Sequence, residues 1–139
     1  MPLKTNRIPY PQNIKNFQVK TTAAKTTEED VTNAVLAYTA PAAAPAVVTK
    51  LVAAPQATVT ACRLKAYVAK AATPTVLRQV RNRLMPATTV NETTEQAQID
   101  LGYTDQFPLK LQAGDLLYLA GGTANTITWH GEAEEYEDA

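Results

Sequence analysis

The sequence predicts an all-β fold, an antiparallel β-sandwich or jelly roll with an extended N-terminal arm. Two observations predict it. From residue 33 onward, short β-branched and apolar segments alternate with turns at intervals of about ten residues, which is typical of sandwiches and jelly rolls. Before that point the apolar residues follow no clear period, and Pro9 and Pro11 disfavour a helix. We therefore divide the 139 residues into an assembly arm, residues 1–32, and a sandwich domain, residues 33–139.

The predicted strands follow from alternation and from turn residues. Residues 57–69 alternate best, with Cys62 and Leu64 on one face and Arg63 and Lys65 on the other. Gly114-Asp115 between two apolar runs predicts a tight turn. The expected strands are residues 34–38, 46–53, 57–69, 75–85, 98–101, 109–111, 116–120 and 125–130.

Residues 75–85 fit two patterns. Val76, Val80 and Leu84 have helical spacing, whereas Val76, Arg78 and Val80 also alternate as in a strand. The neighbouring strands and the prolines at both ends, Pro74 and Pro86, favour a strand.

Composition limits the function classes. The 13 basic and 13 acidic residues give zero net charge, which argues against a general nucleic-acid binder. Large apolar residues are sparse, with two Phe, one Trp and two Met, so this thin core would gain from burial against a partner subunit. No apolar run approaches the roughly 18 residues that span a membrane, and residues 1–10 lack a signal-peptide core. We expect synthesis in the host cytoplasm and no membrane partner.

The residues needed for catalysis are scarce. The chain has no serine, a single histidine, His130, and a single cysteine, Cys62. One histidine cannot build a multi-histidine metal site, and Cys62 lies in an alternating strand where it is expected in the core rather than in a Cys-His dyad. We predict no catalytic residue, no metal and no cofactor, and therefore not an enzyme.

The N-terminal arm holds the candidate partner-binding residues. A purely solvating tail needs no apolar anchors, yet this one carries several, so it is either a disordered tail or a segment that orders on a neighbouring subunit. The candidates are Arg7, Ile8, Tyr10, Ile14 and Phe17.

Charge is distributed unevenly along the chain. Residues 1–27 carry five positive charges and no negative ones, whereas residues 132–139 carry five negative charges and no positive ones. Opposite termini of this kind indicate either a head-to-tail contact between copies or two solvated ends. A second basic concentration is interpreted as a solvated sheet face or as a source of salt bridges between subunits. It comprises Arg63, Lys65, Arg78, Arg81 and Arg83.

The chain resembles small virion proteins of tailed bacteriophages, of the head decoration or cement type. After the arm, the resemblance rests on Val35–Pro41 leading into Val47–Leu51, then Ala57–Thr60, the phrase Pro108–Tyr118, a closing strand, and a Glu-x-x-Glu-Tyr end. It covers about residues 33–137.

The resemblance implies a jelly-roll body on the capsid surface, commonly a homotrimer, whose arm clamps the major capsid protein or another virion protein. It brings no site residues with it. Two alternatives stay open, a tail, collar or fibre-base attachment module and a carbohydrate- or receptor-binding sandwich. The second requires exposed aromatic residues, for which the candidates are Tyr103, Tyr118, Trp129 and Tyr136.

Overall fold

The computed structural model describes residues 13–96 and 98–136. Within them the chain forms nine β-strands and no helix, arranged as two antiparallel sheets packed face to face. The strands are β1 (Asn13–Thr21), β2 (Val35–Thr39), β3 (Ala46–Pro55), β4 (Cys62–Lys70), β5 (Thr73–Met85), β6 (Ile99–Asp100), β7 (Leu109–Leu111), β8 (Leu116–Gly121) and β9 (Ile127–Glu135).

The strand order is that of a jelly roll. One sheet, sheet A, has the order β1-β9-β3, with the short strands β6 and β7 both pairing with β3 at its far edge. The other, sheet B, has the order β2-β8-β4-β5. Most consecutive strands therefore lie in opposite sheets, which is how a jelly roll wraps its chain around one core. The predicted antiparallel β-sandwich is confirmed, and the part of the predicted arm before residue 13 lies outside the described residues.

The core lies between the two sheets and is built from alternating residues. In β9 every second residue from Ile127 to Glu135 is buried, and Trp129 is fully enclosed. The Trp129 indole Nε1 donates a hydrogen bond to Thr21 Oγ1 at 3.0 Å, so its polar atom is satisfied inside the core. Small residues such as Ala53 and Ala133 share this interior. The core is thus packed from a few large side chains and many small ones.

Residues 75–85 are a strand, as the neighbouring strands and the flanking prolines predict. They belong to β5, the last strand of sheet B. Cys62 lies opposite Met85, and the register shifts between Ala66 and Tyr67 because β5 bulges near Val80. The apolar spacing that imitated a helix arises because this edge strand exposes residues on both faces.

The boundary between arm and sandwich requires correction. Residues 13–21, assigned from sequence to the arm, form β1 and pair with β9 along its whole length, from Asn13 opposite Glu135 to Thr21 opposite Ile127. Residues 22–34 then pack on sheet B. The last strand also extends beyond residue 130, to Glu135. The positive N-terminal region and part of the negative C-terminal region are therefore neighbours within one chain.

Candidate binding surface

One lateral edge of the sandwich is closed by aromatic packing. Phe17 of β1 stacks on Tyr38 of β2 with 5.6 Å between ring centroids. Its ring covers Gly131, the residue opposite it on β9, so a Cβ at that glycine would overlap the ring. Tyr38 Oη donates a hydrogen bond of 2.5 Å to Glu135 Oε2. This packing joins β1 and β2 across the two sheets.

The five predicted partner-binding residues fall into three groups. Arg7, Ile8 and Tyr10 lie outside the described residues. Ile14 is 72% exposed and remains available to a partner. Phe17 is 9% exposed and belongs to this chain's own core, so its assignment to a partner surface needs correction. Its side chain points between the sheets because it follows the strand period of β1.

Residues 22–34, here named the sheet B loop, cover the outer face of sheet B. Lys25 is fully buried, and its Nζ donates to the carbonyl oxygens of Asp30 at 2.6 Å and Thr32 at 3.0 Å. The same ammonium lies 5.4 Å from the centroid of the Tyr67 ring. The loop is therefore held by a buried cation over a small apolar cluster formed around Tyr67 and Leu77.

Acidic residues of this loop neutralise part of the basic concentration on sheet B. Glu28 accepts hydrogen bonds from Lys65 Nζ at 3.0 Å and Tyr67 Oη at 2.9 Å, and these two bonds hold the pKa of its carboxyl below the ordinary value. Glu29 forms an ion pair with Arg78. Lys65 and Arg78 therefore have salt-bridge partners inside this chain.

The opposite lateral edge is closed over only part of its length. Arg81 of β5 reaches across to sheet A, where its Nη1 donates to Leu101 O at 2.8 Å. Its guanidinium lies 4.5 Å from the centroid of the Tyr103 ring. Burial raises the pKa of Tyr103 and the nearby Arg81 charge opposes that rise. This contact closes one half of the edge.

The other half of that edge is open and forms a cavity of about 500 Å³, here named the edge groove. It lies between β5, the last strand of sheet B, and β7, on the outermost side of sheet A. Val68 and Leu109 pack against the core and also line the groove, which therefore continues the core to the surface. The lining residues are Val68, Lys70, Thr73, Val76, Arg78, Val80, Leu109, Lys110 and Asp115.

Cations dominate the charge around the edge groove. Asp115 is 3% exposed and is held by Lys70 Nζ at 2.9 Å and by the Gln112 backbone N–H at 2.9 Å. Arg78 forms an ion pair with Glu29, and both side chains are largely exposed. Lys110 has no ion-pair partner among residues 13–96 and 98–136. The groove thus combines apolar walls with a net positive rim.

The two residues considered for a catalytic dyad are separated. Cys62 is buried between the sheets, whereas His130 lies on the outer face of sheet A, 3.5 Å from Gln18 Nε2. Across the described residues, no three His, Cys, Asp or Glu side chains are placed to hold a metal ion. The same residues contain no helix that is long and apolar enough to cross a membrane.

The aromatic residues proposed for sugar stacking are largely enclosed. Trp129 is 0% exposed and Tyr103 is 5% exposed, so neither can present a ring face to a ligand. Tyr118 and Tyr136 are half-buried, and Tyr118 lies in β8 of sheet B whereas Tyr136 follows β9 of sheet A. These four residues do not form one stacking platform.

Comparison with protein-family models, curated proteins and solved structures finds no significant match. The fold is therefore assigned from its own strand order, and function must be argued from the surfaces of this chain. A fold shared by viral capsid, lectin and cupin domains does not by itself choose among them.

Sequence reasoning missed the edge groove, because its walls come from separate parts of the chain. Val76 and Val80 lie about thirty residues before Leu109, and only the jelly-roll wrapping brings them together. One signal was available in the sequence. β5 carries apolar residues at positions 76 and 80 beside Arg78, which is more apolar surface than a solvated edge strand needs.

Proposed function

We propose that this protein is a structural component of a bacteriophage virion, most simply a decoration or cement protein that binds the capsid surface through its N-terminal segment, residues 1–12. The sandwich acts as the body, and the segment adds contact area to a neighbouring virion protein such as the major capsid protein. Binding of this kind gains from linking one module to several neighbours. The proposal assigns no catalytic role and no cofactor to the protein, and it includes a homotrimer on the particle.

The observation that carries the proposal is the anchoring of β1. Residues 1–12 continue directly from Asn13, at the start of an edge strand that is paired with β9 and fixed by the buried Phe17. Because β1 is fixed in the sandwich, a contact made by the attached segment would hold the whole sandwich domain in place. Its basic and apolar residues, Arg7, Ile8 and Tyr10, are followed on the described surface by the exposed Ile14.

The pairing of β1 with β9 also determines which deletion can test the proposal. A deletion that removes β1 would destroy part of the sandwich, so the informative variant lacks residues 2–12 only. Phage heads prepared without the protein are incubated with the full chain or with this variant, and bound protein is quantified after sedimentation. We expect the deletion to abolish binding while its thermal unfolding stays unchanged. Binding equal to that of the full chain would reject the clamp.

Two further measurements sharpen this test. The triple variant Arg7→Glu, Ile8→Asp, Tyr10→Ala keeps the segment's length and should also lose binding, whereas Lys50→Glu, on the exposed part of β3, is a matched surface control. Electron microscopy of particles carrying the full chain then separates the head from the tail and collar. Density on the tail alone would replace the capsid assignment with the attachment module. Analytical ultracentrifugation tests the homotrimer, and a monomer at every concentration would reject it.

A further inference from the structure

At the edge groove the core reaches the surface. The first lateral edge is sealed by Phe17 and Tyr38, and half of the second edge is sealed by Arg81 over Tyr103. In the remaining half, Val76 is partly exposed and Val80 is 41% exposed. Partly exposed apolar residues around a concave site of this volume are typical of a binding site.

Two edge strands border the groove, and one backbone group of β5 is already used, since Leu77 N donates to Glu29 O. β5 and β7 are the last strands of their sheets on this side. Edge strands present unpaired backbone groups that can accept an added extended segment. An occupant with extended backbone would therefore match the groove better than a helix would.

The rim selects the charge of the occupant. Lys70, Arg78 and Lys110 surround the apolar walls. The acidic groups nearby are already engaged, since Asp115 is buried against Lys70 and Glu29 is paired with Arg78. The exposed pair is readily exchanged for another carboxylate, because exposed ion pairs contribute little to stability.

Charge also excludes two occupants that the chain itself could supply. The N-terminal segment of a second copy carries Lys4 and Arg7 and no acidic residue. The β5 strand of a second copy would set its own Arg78 and Arg81 against those of the first. Like charges at close range disfavour both contacts, so the same cations that invite an acidic partner repel further copies of this edge.

We infer that the edge groove binds an acidic, extended peptide segment of a partner protein. An apolar side chain of the segment enters between Val76, Val80 and Leu109, and carboxylates on either side of it pair with Lys110 and Arg78. The inference goes beyond the proposed function, because it uses the opposite lateral edge of the sandwich from β1 and does not depend on residues 1–12.

Two synthetic peptides test the inference. Each has eight residues with blocked ends; one alternates Val with Glu and the other alternates Val with Lys. They are titrated into the isotopically labelled full chain at low salt, and backbone amide shifts are followed by NMR. We expect the acidic peptide to shift the amides of Val76, Val80 and Leu109, and the basic peptide to leave them unchanged.

Matched variants separate groove binding from general attraction. Lys110→Glu should weaken binding of the acidic peptide on the order of tenfold, because it reverses one rim charge. Lys50→Glu makes the same charge change on an exposed part of sheet A and should leave binding unchanged. Val80→Thr keeps the shape of the side chain and should weaken binding by removing apolar contact. All three positions are exposed, so the fold is retained.

Three results would overturn the inference. They are no shift with the acidic peptide, equal shifts with both peptides, or equal losses in Lys110→Glu and Lys50→Glu. The chain lacking residues 2–12 should bind the acidic peptide as the full chain does. Loss of capsid binding with retained peptide binding thus separates the clamp from the groove.

Discussion

The position of Phe17 gives the most direct test of where the sandwich begins. We expect Phe17→Ala to destabilise the isolated protein by about 3–5 kcal/mol, the usual cost of removing a buried phenyl ring. The ring is 9% exposed, stacks on Tyr38 at 5.6 Å, and covers Gly131. Little of the resulting cavity can close, because one neighbour is the backbone of Gly131 and the other is the Tyr38 ring, which its hydrogen bond to Glu135 holds in place.

Ile14 provides the control on the same strand. It is 72% exposed, so Ile14→Ala should change the free energy of unfolding by no more than about 0.5 kcal/mol. Both variants are unfolded with urea. Their free energies of unfolding are compared with the same slope of free energy against urea concentration for both. If residues 13–21 served only as an arm, both substitutions would have similarly small effects. A difference between them of less than about 1 kcal/mol would refute the inclusion of β1 in the core.

Three other substitutions test the packing and the charges described above. Gly131→Ala should lower the free energy of unfolding by about 1–3 kcal/mol in urea, because its new Cβ overlaps the aromatic ring opposite it; an unchanged midpoint would contradict that contact. Lys25→Met should cost roughly 1–3 kcal/mol, since it leaves the carbonyl oxygens that the ammonium serves without a donor, and a loss of protection of the sheet B loop in hydrogen exchange would accompany it. Glu28→Gln should destabilise the protein at pH 7 and less so at pH 3. Hydrogen bonds from Lys65 and Tyr67 lower the folded-state pKa of Glu28 from 4.5, so the stability it contributes is present above that value and is lost as the pH falls through the folded pKa. A pH-independent difference between Glu28→Gln and the unchanged chain would contradict this role.

Strands with strong local signals were predictable from sequence. The turn at Gly114 was predicted from a glycine between two apolar runs, and there Gly114 has φ 81°, a left-handed conformation that glycine adopts without strain. The turn connects β7 of sheet A to β8 of sheet B, so the two strands it joins do not pair. β4 follows from its alternation, although the strand begins at Cys62 rather than at residue 57. In both cases the information lies within about ten residues, the range over which alternation and turn chemistry act.

β1 was missed because its inward face is mostly polar at its ends. Phe17, Val19 and Thr21 alternate toward the core, but Asn13 and Lys15 occupy the same face, and the apolar Ile14 points outward. An edge strand needs only its central residues buried, so the alternation of apolar and polar residues along it is weak. The residues that identify the strand are its partners on β9, more than a hundred positions away.

The two lateral edges of the sandwich have different chemistry, and this difference limits how copies can assemble. The edge formed by β1 and β2 is filled by the stacked rings of Phe17 and Tyr38. The edge formed by β5 and β7 is open, apolar within and cationic at its rim. A basic segment does not suit a cationic groove, so a ring in which each copy's N-terminal segment enters its neighbour's groove is electrostatically disfavoured. Contacts among copies that use the N-terminal segment must then be made on other surfaces, whereas the groove suits a segment of opposite charge.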